Sequence, residues 1–74
     1  MKTLDKAKKG ERLKIVGFVG EQDRVFRRFL ELGFSRGETV KILNSSLANK
    51  VVLIEIRGYV LSVRRSLLER VVVG

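Results

Sequence analysis

The side chains of this sequence that could carry a reaction are carboxylates and little else. Asp5, Glu11, Glu21, Asp23, Glu31, Glu38, Glu55 and Glu69 are its acids, and it contains no His and no Cys. Without imidazole there is no near-neutral general base of the usual kind, and without a thiol no thiolate nucleophile. Zinc, copper and non-haem iron centres are built mainly from those two ligand types, so composition speaks against a buried transition-metal site. A weak Mg²⁺ or Fe²⁺ site of carboxylates and water stays open. The acids are nevertheless scattered, and only Glu21 and Asp23 stand close, at a helix start where negative charge is favourable in any case. The chain reads as non-catalytic and cofactor-free: it acts by binding.

What it binds is narrowed by charge. Sixteen Lys and Arg against eight acids leave a net +8 on 74 residues, which points to nucleic acid, an anionic membrane surface or an acidic protein face. The cations fall into three groups: the N-terminal lysines with Arg12, then Arg24, Arg27 and Arg28, then Arg64 with Arg65. Arg24 and Arg28 are like charges one helical turn apart, a mild cost that an anionic partner would relieve. The aromatic residues Phe18, Phe26, Phe29, Phe34 and Tyr59 fall mostly at expected core or cap positions. They do not form the exposed stacking rows, interleaved with basic residues, that single-stranded nucleic acid needs. A nucleic-acid-binding barrel is therefore the alternative reading, not the first.

The elements that must position these groups are short. Residues 12–18 alternate, placing Leu13 and Ile15 on one face of a strand. Residues 22–32 carry Val25, Phe26, Phe29 and Leu30 at helical spacing. Asp23 stands four residues before Arg27, an ion-pair spacing. Gly33 is expected to end that helix in a left-handed cap that folds Phe34 back on Phe29. Residues 39–44 form a strand with Val40 and Ile42 inward, and residues 50–57 and 59–65 a hairpin turning at Arg57-Gly58. Ser66-x-x-Glu69 reads as a capping box opening a helical turn, and Val71–Val73 as a last strand. Val52, Ile54 and Ile56 belong to the core, leaving Val51, Leu53, Val60 and the loop residue Leu47 as surplus apolar positions available to a partner. Lys9-Gly10-Glu11 and Arg36-Gly37-Glu38 echo one another, each a turn into a strand rather than a phosphate loop. The expected fold is mostly β, one domain over residues 1–74. It is a small closed five-stranded barrel with one inserted α-helix and a short helical turn before the last strand. No segment approaches the ~20 apolar residues of a membrane span and no signal-peptide core follows the N-terminal lysines, so the chain reads as cytoplasmic.

The sequence resembles the FeoA family over about Leu4 to Val73. The resemblance is carried by Gly10 before Ile15-Val16-Gly17, then by Arg27-Arg28-Phe29-Leu30-Glu31-Leu32-Gly33-Phe34 with Gly37 beyond. It continues through Ile54-Glu55-Ile56-Arg57-Gly58-Tyr59 and Leu61-Ser62-Val63-Arg64-Arg65. Lys9 and Arg36 stand where the family often has Pro before the turn glycines, and Ser45-Ser46-Leu47-Ala48-Asn49 replaces a loop that often contains Pro and Gly. The resemblance implies an SH3-like barrel and a regulatory or assembly role in bacterial ferrous iron uptake, with the membrane Fe²⁺ transporter FeoB as partner on the cytoplasmic side. Iron binding by the chain itself does not follow from it. Arg24, Arg27, Arg28, Leu47, Arg64 and Arg65 are the candidate partner-binding residues, and self-association stays open.

Overall fold

The computed structural model describes residues 1–45 and 50–74. The chain runs β1 (Lys2–Thr3), a 3₁₀ turn (Leu4–Lys6), β2 (Arg12–Phe18), α1 (Arg24–Glu31), β3 (Thr39–Asn44), β4 (Val51–Ile56), β5 (Tyr59–Arg64), α2 (Arg65–Leu68) and β6 (Val71–Val73). All pairings are antiparallel, in the order β1-β6-β2-β3-β4-β5. The mostly-β expectation holds, with two differences. A sixth strand arises because Lys2 and Thr3 pair with Val73 and Val72. The barrel is also not closed by hydrogen bonds, since the sheet order ends at β1 on one side and β5 on the other.

β2 joins the two halves of the sheet. Residues 12–14 pair with β3, and from Ile15 onward the strand pairs with β6 through a register shift between Ile15 and Gly17. Such a bulge bends a strand and increases its twist, which lets one strand serve both halves. The echoed turns explain themselves here. The Gly10 N–H donates to Ile42 O and the Gly37 N–H to Ile15 O, both at 2.8 Å. In return the Ile42 N–H donates to Glu11 O and the Ile15 N–H to Glu38 O, both at 2.9 Å. Each turn thus ties down the strand that follows the other, around the central Leu13–Val40 pair. Similar sequence serves similar geometry, with no phosphate loop involved.

The alternating positions face inward as read. Leu13, Ile15, Val40, Ile42, Val52, Ile54, Ile56 and Val63 are buried, together with Leu4, Ala7, Leu68, Val71 and Val73 from the chain ends. Phe29 and Phe34 join the same cluster. No polar or charged residue is buried among the described residues, so apolar burial carries the stability, at roughly 1.5–3 kcal/mol for each large side chain. Of the surplus positions, Val51 and Val60 are exposed and Leu53 is half-buried.

The helix ends follow local chemistry. The Asp23 carboxylate caps α1 by accepting from the Phe26 N–H at 3.1 Å. The far end is a Schellman cap: the Phe34 N–H reaches Phe29 O at 2.9 Å, and the Gly33 N–H reaches Leu30 O at 3.0 Å. Gly33 has φ +97°, and the Phe34 ring lies 5.0 Å from that of Phe29, as expected from the cap. The Ser66–Glu69 capping box does not form. α2 begins two residues earlier than a Ser66 cap would place it, with Arg64 as its N-cap and no side-chain cap, because β5 runs directly into the helix and puts Ser66 inside its first turn.

Candidate functional site: an arginine-rimmed groove beside an open strand

α1 presents two stripes. Val25, Phe29 and Leu32 follow one another at helical spacing and turn toward the protein, with Phe29 buried. Arg24 and Arg28, one turn apart, flank that stripe on the exposed side. The second wall comes from β5. Arg57 and Gly58, at φ 52° and 86°, form a two-residue hairpin turn with positive φ at both positions, and this sets Leu61 and Val63 inward. Leu67 of α2 completes the wall.

Between these walls lies a groove of about 530 Å³, lined by the apolar side of α1, by residues 61–64 and by Leu67. Arg24 and Arg28 border it from the helix and Arg64 from the strand. No carboxylate lines it. Arg28 meets Glu31 at 3.6 Å in an exposed pair, whereas Arg24 and Arg64 have no ion-pair partner among the described residues. The Tyr59 hydroxyl donates to Leu32 O and so ties the start of β5 to the end of α1. An apolar floor with guanidinium groups on its rim can hold an apolar segment and pair bidentately with carboxylates beside it.

The structure thus brings together three of the six sequence-derived candidates, Arg24, Arg28 and Arg64. Arg27 is exposed on α1 outside the groove. Arg65 points elsewhere: its guanidinium donates to Asp5 O at 2.7 Å and to the Ser45 hydroxyl at 3.1 Å, holding the N-terminal turn against the end of β3. Leu47 lies outside the described residues. The apolar floor was not singled out from sequence. Its signal was present, since Val25 and Leu32 continue the stripe of Phe29, but the same spacing reads equally as ordinary core.

Arg70 was also missed. Its guanidinium meets both Asp23 carboxylate oxygens at 3.0 and 3.1 Å, and donates to Val19 O at 3.3 Å and Glu21 O at 2.5 Å. The Val19 N–H meanwhile donates to Arg70 O at 2.9 Å. One side chain from the end of α2 therefore fixes the loop that launches α1. Asp23 faces this cation and not Arg27, because its carboxylate is already turned back on the helix start. The Phe26 N–H, with the Arg70 guanidinium beside it, holds the Asp23 carboxyl below the usual range. The Lys8 N–H, helped by the Lys2 ammonium, does the same for Glu11.

Phe18, Phe26, Phe29 and Phe34 pack on one another, with centroid separations of 5.0 to 6.1 Å, and offer no row of faces for base stacking. Among the described residues no group of three or more His, Cys, Asp or Glu stands together as a metal site. Among the described residues no helix is long and apolar enough to cross a membrane.

Fold and groove together define a small SH3-like β domain with an apolar groove rimmed by arginines, and comparison with known proteins supplies the family. The model of the FeoA domain matches residues 2–74, and the chain belongs to that family, which is associated with ferrous iron transport. Among solved structures it is similar to the zinc-complexed FeoA of Stenotrophomonas maltophilia, with 25% identity, 100% of this chain and 91% of that one covered, and a TM-score of 0.88. That protein is described as a prokaryotic SH3 domain protein with a suggested role as a ferrous iron transport activating factor. It is also similar to FeoA of Chlorobium tepidum, at 28% identity, 97% and 68% coverage and a TM-score of 0.85. A manganese-dependent transcriptional repressor shares the fold at 12% identity and a TM-score of 0.89, with 99% of this chain covering 40% of that one. No curated protein matches the chain.

Proposed function

We propose that residues 1–74 form one non-catalytic docking domain of bacterial ferrous iron uptake, which binds the FeoB transporter at the cytoplasmic face of the membrane. The observation that carries this reading is the groove: an open apolar floor on a small domain, bordered by Arg24, Arg28 and Arg64. A largely apolar cleft with a few polar groups at its mouth is the usual form of a binding site, and cations at its rim select partners and speed their encounter. Family membership directs attention to iron uptake, and the +8 charge suits an acidic protein face. The chain lacks His and Cys, the main ligands of a buried transition-metal site, which supports docking over the handling of iron. Titration calorimetry against the cytoplasmic part of FeoB, and against full-length FeoB in membranes, tests the proposal. A complex is expected with Kd of about 1 μM or tighter, near −8 kcal/mol. Absence of binding to both forms at far higher concentrations would exclude it.

A further inference from the structure

We propose that the free edge of β5 takes up an extended acidic segment of the partner as an added strand, lying in the groove against α1. This deepens the docking reading and rests on it for the partner's identity.

The hydrogen-bonding phase of the edge follows from the hairpin. A two-residue turn with positive φ at both positions makes Ile56 and Tyr59 the pair that exchanges two hydrogen bonds. Alternation then gives Ile54–Leu61 and Val52–Val63 the same role. The Arg65 N–H donating to Lys50 O at 2.7 Å is the next rung in that phase. Val60, Ser62 and Arg64 therefore direct their N–H and C=O groups away from β4. Among the described residues the N–H and C=O groups of Val60 and Ser62 and the N–H of Arg64 form no hydrogen bond with another element, while Arg64, as the N-cap of α2, gives its C=O to the first turn of that helix.

Unpaired strand edges are normally blunted by Lys, Pro, a bulge or extreme shortness. The other end of the sheet is blunted in the last way, since β1 has two residues. β5 has six, Tyr-Val-Leu-Ser-Val-Arg, with no Pro or Lys, and it pairs with β4 without a register shift. Val60 on it is 52% exposed. An edge left open beside an apolar groove fits strand addition, in which main-chain bonds give affinity and alternate side chains give specificity.

Charge selects the occupant. A strand laid along β5 would direct alternate side chains toward Phe29, Leu32 and Leu67, and the others toward Arg64. Arg24 and Arg28 stand across the groove, Arg28 in an exposed pair with Glu31 at 3.6 Å and Arg24 without an ion-pair partner among the described residues, and no carboxylate lines the groove itself. Acidic residues alternating with apolar ones satisfy both walls. A second copy of this chain fits poorly, because it would bring another β5 with its own Arg64, next to Arg24 and Arg28, into the same cationic groove.

The test uses the ¹⁵N-labelled domain and the capped peptide acetyl-Glu-Val-Glu-Val-Glu-Val-Glu-amide, with nuclear magnetic resonance and amide exchange as readouts. Binding is expected to shift and protect the amides of Val60, Ser62 and Arg64, leaving the already bonded amides of Leu61 and Val63 with little change. A peptide N-methylated at alternate residues, on its pairing edge, is expected to lose binding at least about tenfold. The R24E/R28E/R64E variant is expected to lose about as much, a 1.4 kcal/mol change by affinity arithmetic. Overturning results are no binding of the acidic peptide at millimolar concentration, equal binding of the N-methylated form, or equal binding of the Lys-for-Glu counterpart. Edge protection that grows with protein concentration and without peptide would make a second copy the occupant, and also overturns the proposal. A FeoB complex that leaves the three edge amides unprotected would refute strand addition while leaving docking intact. Peptide binding without any FeoB complex would refute FeoB docking alone.

Discussion

Replacing Gly33 by Ala perturbs the joint on which the groove depends, and its cost can be worked from two separable contributions. At φ +97° the backbone lies beyond the left-handed region near +57° that other residues tolerate, which costs about 1–2 kcal/mol for an L-residue. The added methyl would also stand 2.6 Å from Arg57 Cδ and 3.4 Å from the Tyr59 hydroxyl. Cδ lies within the Arg57 stem and not at its flexible end, so the side chain must leave its place, and a further cost of about 1–2 kcal/mol is expected by analogy with overpacking. Gly37→Ala is the control, because Gly37 has nearly the same φ, +92°, with nothing within 4 Å of a new Cβ. Urea unfolding should show Gly33→Ala destabilised by about 2–4 kcal/mol and Gly37→Ala by about 1–2 kcal/mol. In an Arg57→Ala background the Gly33→Ala cost should fall to the Gly37 value, since only the backbone contribution remains. Equal costs at the two glycines, or no relief from Arg57→Ala, would refute the close packing of the hairpin on the helix end.

Two further outcomes follow from the Arg70 clamp and the depressed carboxyls. Arg70→Met should leave the β ladder protected but speed amide exchange at Phe26 and along residues 19–23, because Val19 O, Glu21 O and Asp23 lose their common donor; unchanged exchange there would show that the clamp is dispensable. Asp23 and Glu11 have lowered pKa values in the folded chain. Their contribution is therefore complete above the unfolded carboxyl value near ~4 and is lost as pH falls through the lower folded value. Stability against urea should be flat near neutrality and decline in acid. Asp23→Asn and Glu11→Gln should each flatten that decline, and an unchanged acid limb in both variants would contradict the assignment.

The parts of the fold that were legible in the sequence are those set by local periodicity and turn chemistry. Leu13, Ile15, Val40, Ile42, Val52, Ile54 and Ile56 announced their faces because one neighbour in two is buried. Gly33 with Phe34 announced the Schellman cap because no other residue type suits that position so well. The misreadings all involve choices settled at a distance. Asp23 had two spacing-compatible roles; its carboxylate turned back on the helix start, where Arg70 from the end of the chain meets it, and so faced away from Arg27. Ser66-x-x-Glu69 had the letters of a capping box, but β5 running into α2 moved the N-cap to Arg64 and left Ser66 inside the helix. Lys2 and Thr3 showed no strand signal because their pairing is supplied by Val72 and Val73. The candidate site was half visible. Arg24 and Arg28 stood out by charge and spacing, while Arg64 and Arg65 looked alike until the fold sent one to the groove and the other to Asp5 and Ser45. The apolar floor stayed hidden, because a stripe that lines an open groove has the same spacing as one that is covered.

The docking account is tested most directly by titrating FeoB, as the cytoplasmic part and as the full-length protein in membranes, with the wild-type domain and with R24E/R28E/R64E. All three side chains are exposed, so the variant should keep the fold, to be checked by its unfolding curve. The account predicts a wild-type complex at about 1 μM or tighter, and for the variant a loss of at least about tenfold, or ~1.4 kcal/mol. Equal binding by the wild type and a folded variant would place the interface elsewhere, and no binding by the wild type to either form would contradict the account altogether.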